Sequence, residues 1–265
     1  MTHQQILDKL AAKYLVQSID DDISRLTWYA MAYDKQGNQQ SHLAYILPKL
    51  LLRWNCILHA DSKEVSEHYK QKAVLALAVT LHKYGFADPV LTQNAIQAID
   101  QLNQEVVLSD DFFRKSEEIK KVISAAPVAL KRKPAMPESI TFYRPKDVVS
   151  IQLNGKFYAA YIHKLTGPNE APIIEFYEGE FDRVPIIQDL DNRTAKGQRY
   201  NDGKERITRF AIYGMKYMPD LANQIQLIGA CIENTPANEH LTASVGLYTM
   251  SDLFDIQSDI QQMFR

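Results

Sequence analysis

Apolar residues recur at three- and four-residue spacing through the first part of the chain, and past residue 145 they alternate with polar ones, so the pattern predicts helices followed by strands. Ile6, Leu7, Leu10 and Tyr14 stripe a first helix. Ile23, Leu26, Ala30 and Tyr33 stripe a second, with Asp20, Asp21 and Asp22 at its positive dipole end. A third covers residues 41–59, where Pro48 either kinks the helix or opens its main part. Ser62 is read as the cap of a fourth, which Gly85 ends. Its second half, AVLALAVTL, is apolar all round and marks the central helix of this half. Asp88-Pro89 starts a fifth helix and Ser109 caps a sixth.

Residues 126–145 are rich in proline and carry Lys131-Arg132-Lys133, which reads as an extended linker between a helical domain, 1–125, and a β-rich domain, 146–265. The second domain opens with KDVVSIQLNGKFYAAYIHKL, residues 146–165. Asn154-Gly155 suits a two-residue type I′ turn, because both central positions need positive φ. That turn sets Leu153 opposite Lys156, Ile151 opposite Tyr158 and Val149 opposite Ala160. Val149, Ile151, Leu153, Tyr158, Ala160 and Ile162 then share the core face, and Val148, Ser150, Gln152, Phe157, Ala159 and Tyr161 form a mixed reverse face. Residues 172–177 and 183–190 are predicted strands, 189–206 a polar excursion, 207–214 and 225–232 inner strands, and 246–248 a last short strand. Ser251 is read as the cap of a terminal helix presenting Leu253, Ile256, Ile260, Met263 and Phe264. The expected class is α+β: an N-terminal helical bundle, then a mostly antiparallel sheet or small SH3-like barrel with a C-terminal helix.

Composition narrows the function classes. A net charge of −2 lacks the basic excess of a general nucleic-acid binder. Cys56 and Cys231 are far apart and in no CxxC or His-rich context, which points to a reducing compartment rather than a zinc site or disulfide. The opening MTHQQILDKL has no secretion-signal pattern, and no apolar run reaches the length of a membrane span, so a cytoplasmic location is expected. GxSxG, P-loop, GxGxxG, HxxxH and HExxH spacings are absent, and no cofactor is predicted.

Two charged stretches remain. Glu170, Glu175, Glu178, Glu180, Asp182, Asp189 and Asp191 can be a solvated edge, a patch that steers a cationic partner, or, if two converge, an acid–base pair. Arg193, Lys196, Arg199, Lys204, Arg206 and Arg209, with Tyr200 among them, can meet phosphates and stack a base, or pair with the acidic run. Of the histidines, His163 is placed best for an interface, beside Tyr161 on the mixed face.

The phrase Lys146-Asp147-Val148-Val149-Ser150-Ile151-Gln152-Leu153, turn, Gly155-Lys156-Phe157-Tyr158-Ala159-Ala160-Tyr161-Ile162 resembles the opening of the immunity-protein 26 family of bacterial polymorphic toxin systems. Lys146 stands where that family has glycine, Val149 where it has an aromatic, and Tyr161 near its second glycine. The resemblance implies a cytoplasmic inhibitor that binds a cognate toxin domain and blocks its active site, without catalysis of its own. Tyr158, Tyr161, Glu175, Tyr177, Glu178, Glu180 and Asp182 are the expected partner-binding residues. The alternative is a nucleic-acid-associated protein using the loop 193–209, with Arg193, Lys196, Arg199 and Tyr200 as contacts.

Overall fold

The computed structural model describes residues 1–105 and 108–265. They form two compact units, residues 1–51 with 57–137, and residues 52–56 with 138–265.

The first unit contains α1 (His3–Asp8), α2 (Lys13–Tyr33), most of α3 (Gln39–Leu58), α4 (Glu67–Lys83), α5 (Pro89–Gln104) and α6 (Asp110–Ser124). Its helices start where a side chain can accept a free backbone N–H. Thr2 and Gln5 form a capping box on α1, Asp88 caps α5 ahead of Pro89, and Ser109 caps α6. The cap of α4 is Ser66, which accepts from the Tyr69 amide; the predicted cap, Ser62, instead donates to Glu67. The first predicted helix breaks at Ala11, whose φ is +48°, so Tyr14 falls on α2 and is exposed. For the same reason Asp20, Asp21 and Asp22 lie in the middle of α2, not at its positive end. The central role predicted for α4 holds: it is buried from Leu75 to His82 and packs against α1, α2, α5 and α6.

The proline-rich stretch is not a free spacer over its first part. Residues 126–137 belong to the helical unit. Ser24 donates its hydroxyl to the Ala135 carbonyl at 2.9 Å, and the Lys133 ammonium sits 4.4 Å from the centre of the Trp28 ring. Prolines remove donors but leave carbonyls, and these carbonyls hold the segment down. Gly85 sits beneath it with φ +88°, and a Cβ there would meet the Val128 carbonyl oxygen at 2.8 Å. Gly155 has a similar φ, +76°, but open space around it. Gly155→Ala is therefore expected to cost about 1 kcal/mol from backbone strain alone, and Gly85→Ala clearly more, because the backbone strap must also shift. Thermal denaturation of the two variants checks this; equal losses would show that the strap is not pressed on Gly85.

The second unit is built on a six-stranded open sheet. Its strands are β1 (Val148–Leu153), β2 (Lys156–Leu165), β3 (Pro172–Phe176), β6 (Phe210–Tyr213), β7 (Ile225–Gly229) and β8 (Thr249–Asp252), and their spatial order is β7-β1-β2-β3-β6-β8. All neighbours are antiparallel except β6 and β8. The two edges make this an open sheet and not a barrel. A separate ribbon pairs β4 (Gln198–Arg199) with β5 (Glu205–Arg206) inside the polar excursion, and α7 (Ile256–Met263) follows β8.

The hairpin forms with the predicted register, and Asn154 and Gly155 both have positive φ. Val149, Ile151, Leu153, Tyr158, Ala160 and Ile162 join Phe176, Phe210 and Ile225 in one core, sealed by Ile256, Ile260 and Met263 of α7. The reverse face carries a smaller core in which Val148, Ala159, Tyr161, Tyr177 and Leu190 are buried, with Ile187 and Ile232 packed over it. The segment expected as a strand at 183–190 ends instead in a 3-10 helix, Ile187–Leu190, after Pro185. Three residues per turn bring Ile187 and Leu190 onto the same side, which an alternating strand would not do. β7 is an edge strand rather than an inner one, and Leu227 is exposed on it. The last strand begins at Thr249, so Ser251 lies in β8 and donates to Asp259, while Asp255 precedes α7.

A buried ion pair also belongs to this unit. Arg53 donates to both carboxylate oxygens of Asp220, at 2.6 and 2.9 Å. The same carboxylate accepts the backbone N–H groups of Ala222, Gln224 and Ile225 at 3.0 to 3.3 Å. Among the described residues no helix is long and apolar enough to cross a membrane.

Candidate functional site: a buried glutamate cluster, a cleft and an acidic segment

Glu175 interrupts the apolar strand β3 and points to the reverse face of the sheet, where it is 0% exposed. The pairing of β2 with β3 shifts register between Ile162 and Lys164, leaving His163 at a bulge. From there His163 Nε2 donates to Glu175 Oε2 at 2.5 Å. Arg209 donates to the same oxygen through Nε and Nη2, both at 3.2 Å, and Asn238 Nδ2 donates to Oε1 at 3.2 Å. Burial by itself would push the Glu175 carboxyl up, but the hydrogen bonds from His163 and Asn238 and the Arg209 charge outweigh it and hold the group below its ordinary value. Tyr161 stacks edge-on against His163 with ring centres 5.0 Å apart and donates its hydroxyl to the Ile232 carbonyl at 2.9 Å. The cluster thus ties three separate stretches of chain, at His163, Arg209 and Asn238, to one carboxylate.

Beside it lies a cleft of about 390 Å³. Tyr177, Leu190 and Ile232 line it, together with Asn192, Arg193 and Asn234. Arg193 reaches from this rim over the Phe181 ring, 5.5 Å from its centre.

Phe181 belongs to the acidic segment that leaves the end of β3. Its backbone makes two reciprocal hydrogen bonds with Phe157, each 2.9 Å. Around it the side chains of Glu178, Glu180 and Asp182 are 52%, 48% and 89% exposed. Lys156 bridges Asp182 at 2.6 Å and Glu180 at 3.4 Å, and its bond holds the Asp182 carboxyl below the usual range. Thr194 donates to Glu178 at 3.1 Å, and Lys196 lies 3.9 Å from it.

The seven residues expected at a partner surface therefore separate into three places. Glu178, Glu180 and Asp182 are exposed together. Tyr158 is buried on the α7 side of the sheet, against Phe264, and only its hydroxyl reaches Glu180, at 3.4 Å. Tyr161, Glu175 and Tyr177 are buried on the opposite side, because alternation along β2 and β3 turns them inward beneath the 3-10 helix and Ile232. Buried side chains cannot form the outer contact surface assigned to them. The basic loop is similarly redistributed: Lys196 faces Glu178, and Arg206 pairs with Asp202 and covers the Tyr200 ring at 5.2 Å. Glu175 faces a histidine, an arginine and an asparagine rather than a second carboxylate. Cys56 and Cys231 are both free thiols, and burial pushes Cys56 up to about 12.

Arg209, expected either at phosphates or paired with the acidic run, takes the second role at Glu175, whereas Asn238 and the asparagines of the cleft, on loops far from β3 in the chain, carry no signal in the sequence. The one local signal was a glutamate at an inward position of an otherwise apolar strand, where a charge needs partners. No protein-family model, curated protein or solved structure matches this chain.

Proposed function

We propose that this chain is an immunity-type protein that acts in the cytoplasm, binds a cognate toxin effector and blocks it, with no chemistry of its own. The observation that carries this reading is the acidic segment around Phe181: three exposed carboxylates on a short stretch fixed to β2 by two backbone hydrogen bonds. A segment already held in one conformation loses little entropy on binding, and clustered negative charge favours a cationic partner and speeds its encounter. The resemblance of residues 146–162 to the immunity family supports the same reading. The nucleic-acid alternative is weakened by the pairing of Lys196 and Arg206 with neighbouring carboxylates.

The test is co-expression of the tagged chain with the product of the gene directly upstream. A stable complex and restored growth are expected. Reversing Glu178, Glu180 and Asp182 to lysine should then weaken that complex at least tenfold, about 1.4 kcal/mol or more, and make its association rate far less sensitive to salt. The melting temperature should change little, since the pairs lost are at the surface. A complex that forms equally well with the triple variant would remove this segment from the interface, and neither complex nor protection would end the immunity reading.

A further inference from the structure

The cleft beside Glu175 has a feature that packing does not explain. Tyr177, at its inner end, is 5% exposed, and its backbone amide is bonded to the Ala159 carbonyl at 2.9 Å. Its hydroxyl has no hydrogen-bond partner among the described residues. It is also not one of the polar atoms sealed from solvent without a partner, as the Tyr143 hydroxyl is. A hydroxyl that is unpartnered but not sealed, on a residue lining a cleft, meets the open space of that cleft. Burial pushes Tyr177 up to about 12, so the group keeps its proton and can both donate and accept.

The mouth repeats the pattern. The side chains of Asp191, Asn192, Asn234 and Thr235 line the cleft and make no hydrogen bond or ion pair among the described residues. Arg193 stacks on Phe181 and has no carboxylate partner there. An anionic ligand would meet Asp191 and a cationic one Arg193, whereas the amides and hydroxyls that make up the rest each offer donors and acceptors together. Ile187, Leu190 and Ile232 supply an apolar wall. The volume, about 390 Å³, is that of a small-ligand site.

We propose that this cleft binds an uncharged, hydroxyl-rich ligand, a monosaccharide or disaccharide in size. One ring hydroxyl is hydrogen-bonded to Tyr177, others are taken by Asn192 and Asn234, and the C–H face of the ring lies on Ile187, Leu190 and Ile232. The proposal stands independently of toxin binding.

Saturation-transfer NMR on the full chain with D-glucose, D-galactose, N-acetyl-D-glucosamine and maltose tests it, with acetyl-trialanine amide as an uncharged peptide control. At least one saccharide is expected to give saturable transfer that the peptide does not displace. Tyr177→Phe should weaken that binding about tenfold, the loss of one hydrogen bond to the ligand, without lowering the melting temperature, because the hydroxyl has no protein partner to lose. Asn234→Ala, at an exposed position, should weaken it by a similar factor. Absence of transfer from all four saccharides, unchanged affinity in both variants, or binding of the peptide in their place would overturn the proposal.

Discussion

Asp220→Ala is expected to destabilise the protein by about 3–5 kcal/mol, the largest loss foreseen for any single substitution in the sheet unit. Asp220 and Arg53 are both buried, with side chains 4% and 3% exposed, and Arg53 puts two nitrogens on the two carboxylate oxygens. Removing the carboxylate leaves a buried guanidinium without its two-pronged partner, the Gln224 side-chain oxygen staying 3.3 Å from one of its nitrogens. It also strips three backbone N–H groups, those of Ala222, Gln224 and Ile225, of their acceptor at the entry to β7. Arg53→Met should cost clearly less. The aspartate keeps its three backbone donors in that variant, and a methionine fills much of the vacated volume. Urea denaturation of both variants measures the difference. An alanine variant within 1 kcal/mol of the parent, or a methionine variant that is the worse of the two, would show that the aspartate does not organise this loop.

The second large effect is expected at Glu175. Glu175→Gln should cost about 2–3 kcal/mol, less than the loss at Asp220 because Arg209 and His163 are partly exposed and can recover water. The same residue gives the protein an acid limb. Its folded-state carboxyl is held below the ordinary value, so the unfolded chain takes up the proton first as pH falls. The stabilisation is complete above the unfolded carboxyl pKa, about 4.3, and is lost as pH drops through the lower folded value. The difference in stability between the parent and Glu175→Gln should accordingly be constant at neutral pH and shrink below about pH 4. A difference that persisted unchanged to pH 2 would mean that the charge on Glu175 contributes nothing and that only its shape matters.

The parts of this fold that were legible in the sequence are those whose cause is local. Asn154-Gly155 selects one turn, the turn selects one register, and the register assigns each side chain of the hairpin to a face, so the two cores of the sheet follow from two residues. The all-apolar stretch of α4 likewise announces its central place. Where two local solutions compete, the sequence does not choose. Ser62 and Ser66 are both serines just ahead of the same helix, and only the folded chain shows that Ser66 bonds the Tyr69 amide while Ser62 turns to Glu67. Ile187 and Leu190 fit a strand or a 3-10 turn by composition, and the sheet beneath them decides. The glutamate cluster was the least legible. His163, Glu175, Arg209 and Asn238 share no spacing, and their convergence is a property of the loops that follow the sheet. Exposure at the expected partner surface fails for a related reason: the 3-10 helix and Ile232 cover Tyr161 and Tyr177 on the reverse face, and Tyr158, on the core face by its own register, lies under α7 and Phe264.

The parallel pairing of β8 with β6 has a consequence for biosynthesis. β1, β2 and β3 are consecutive and can pair as each emerges, and β6 joins them soon after. β8 must cross from residue 249 to reach the far side of β6, and Phe264 then comes to rest 5.9 Å from Phe176 and 4.7 Å from Tyr158. Until residues 249–264 have left the ribosome, the nascent sheet carries a bare edge at β6 and uncovered aromatic rings at the same time. Translation speed over residues 214–264, and the holdase chaperones present during that interval, should govern how much of this protein reaches its native state.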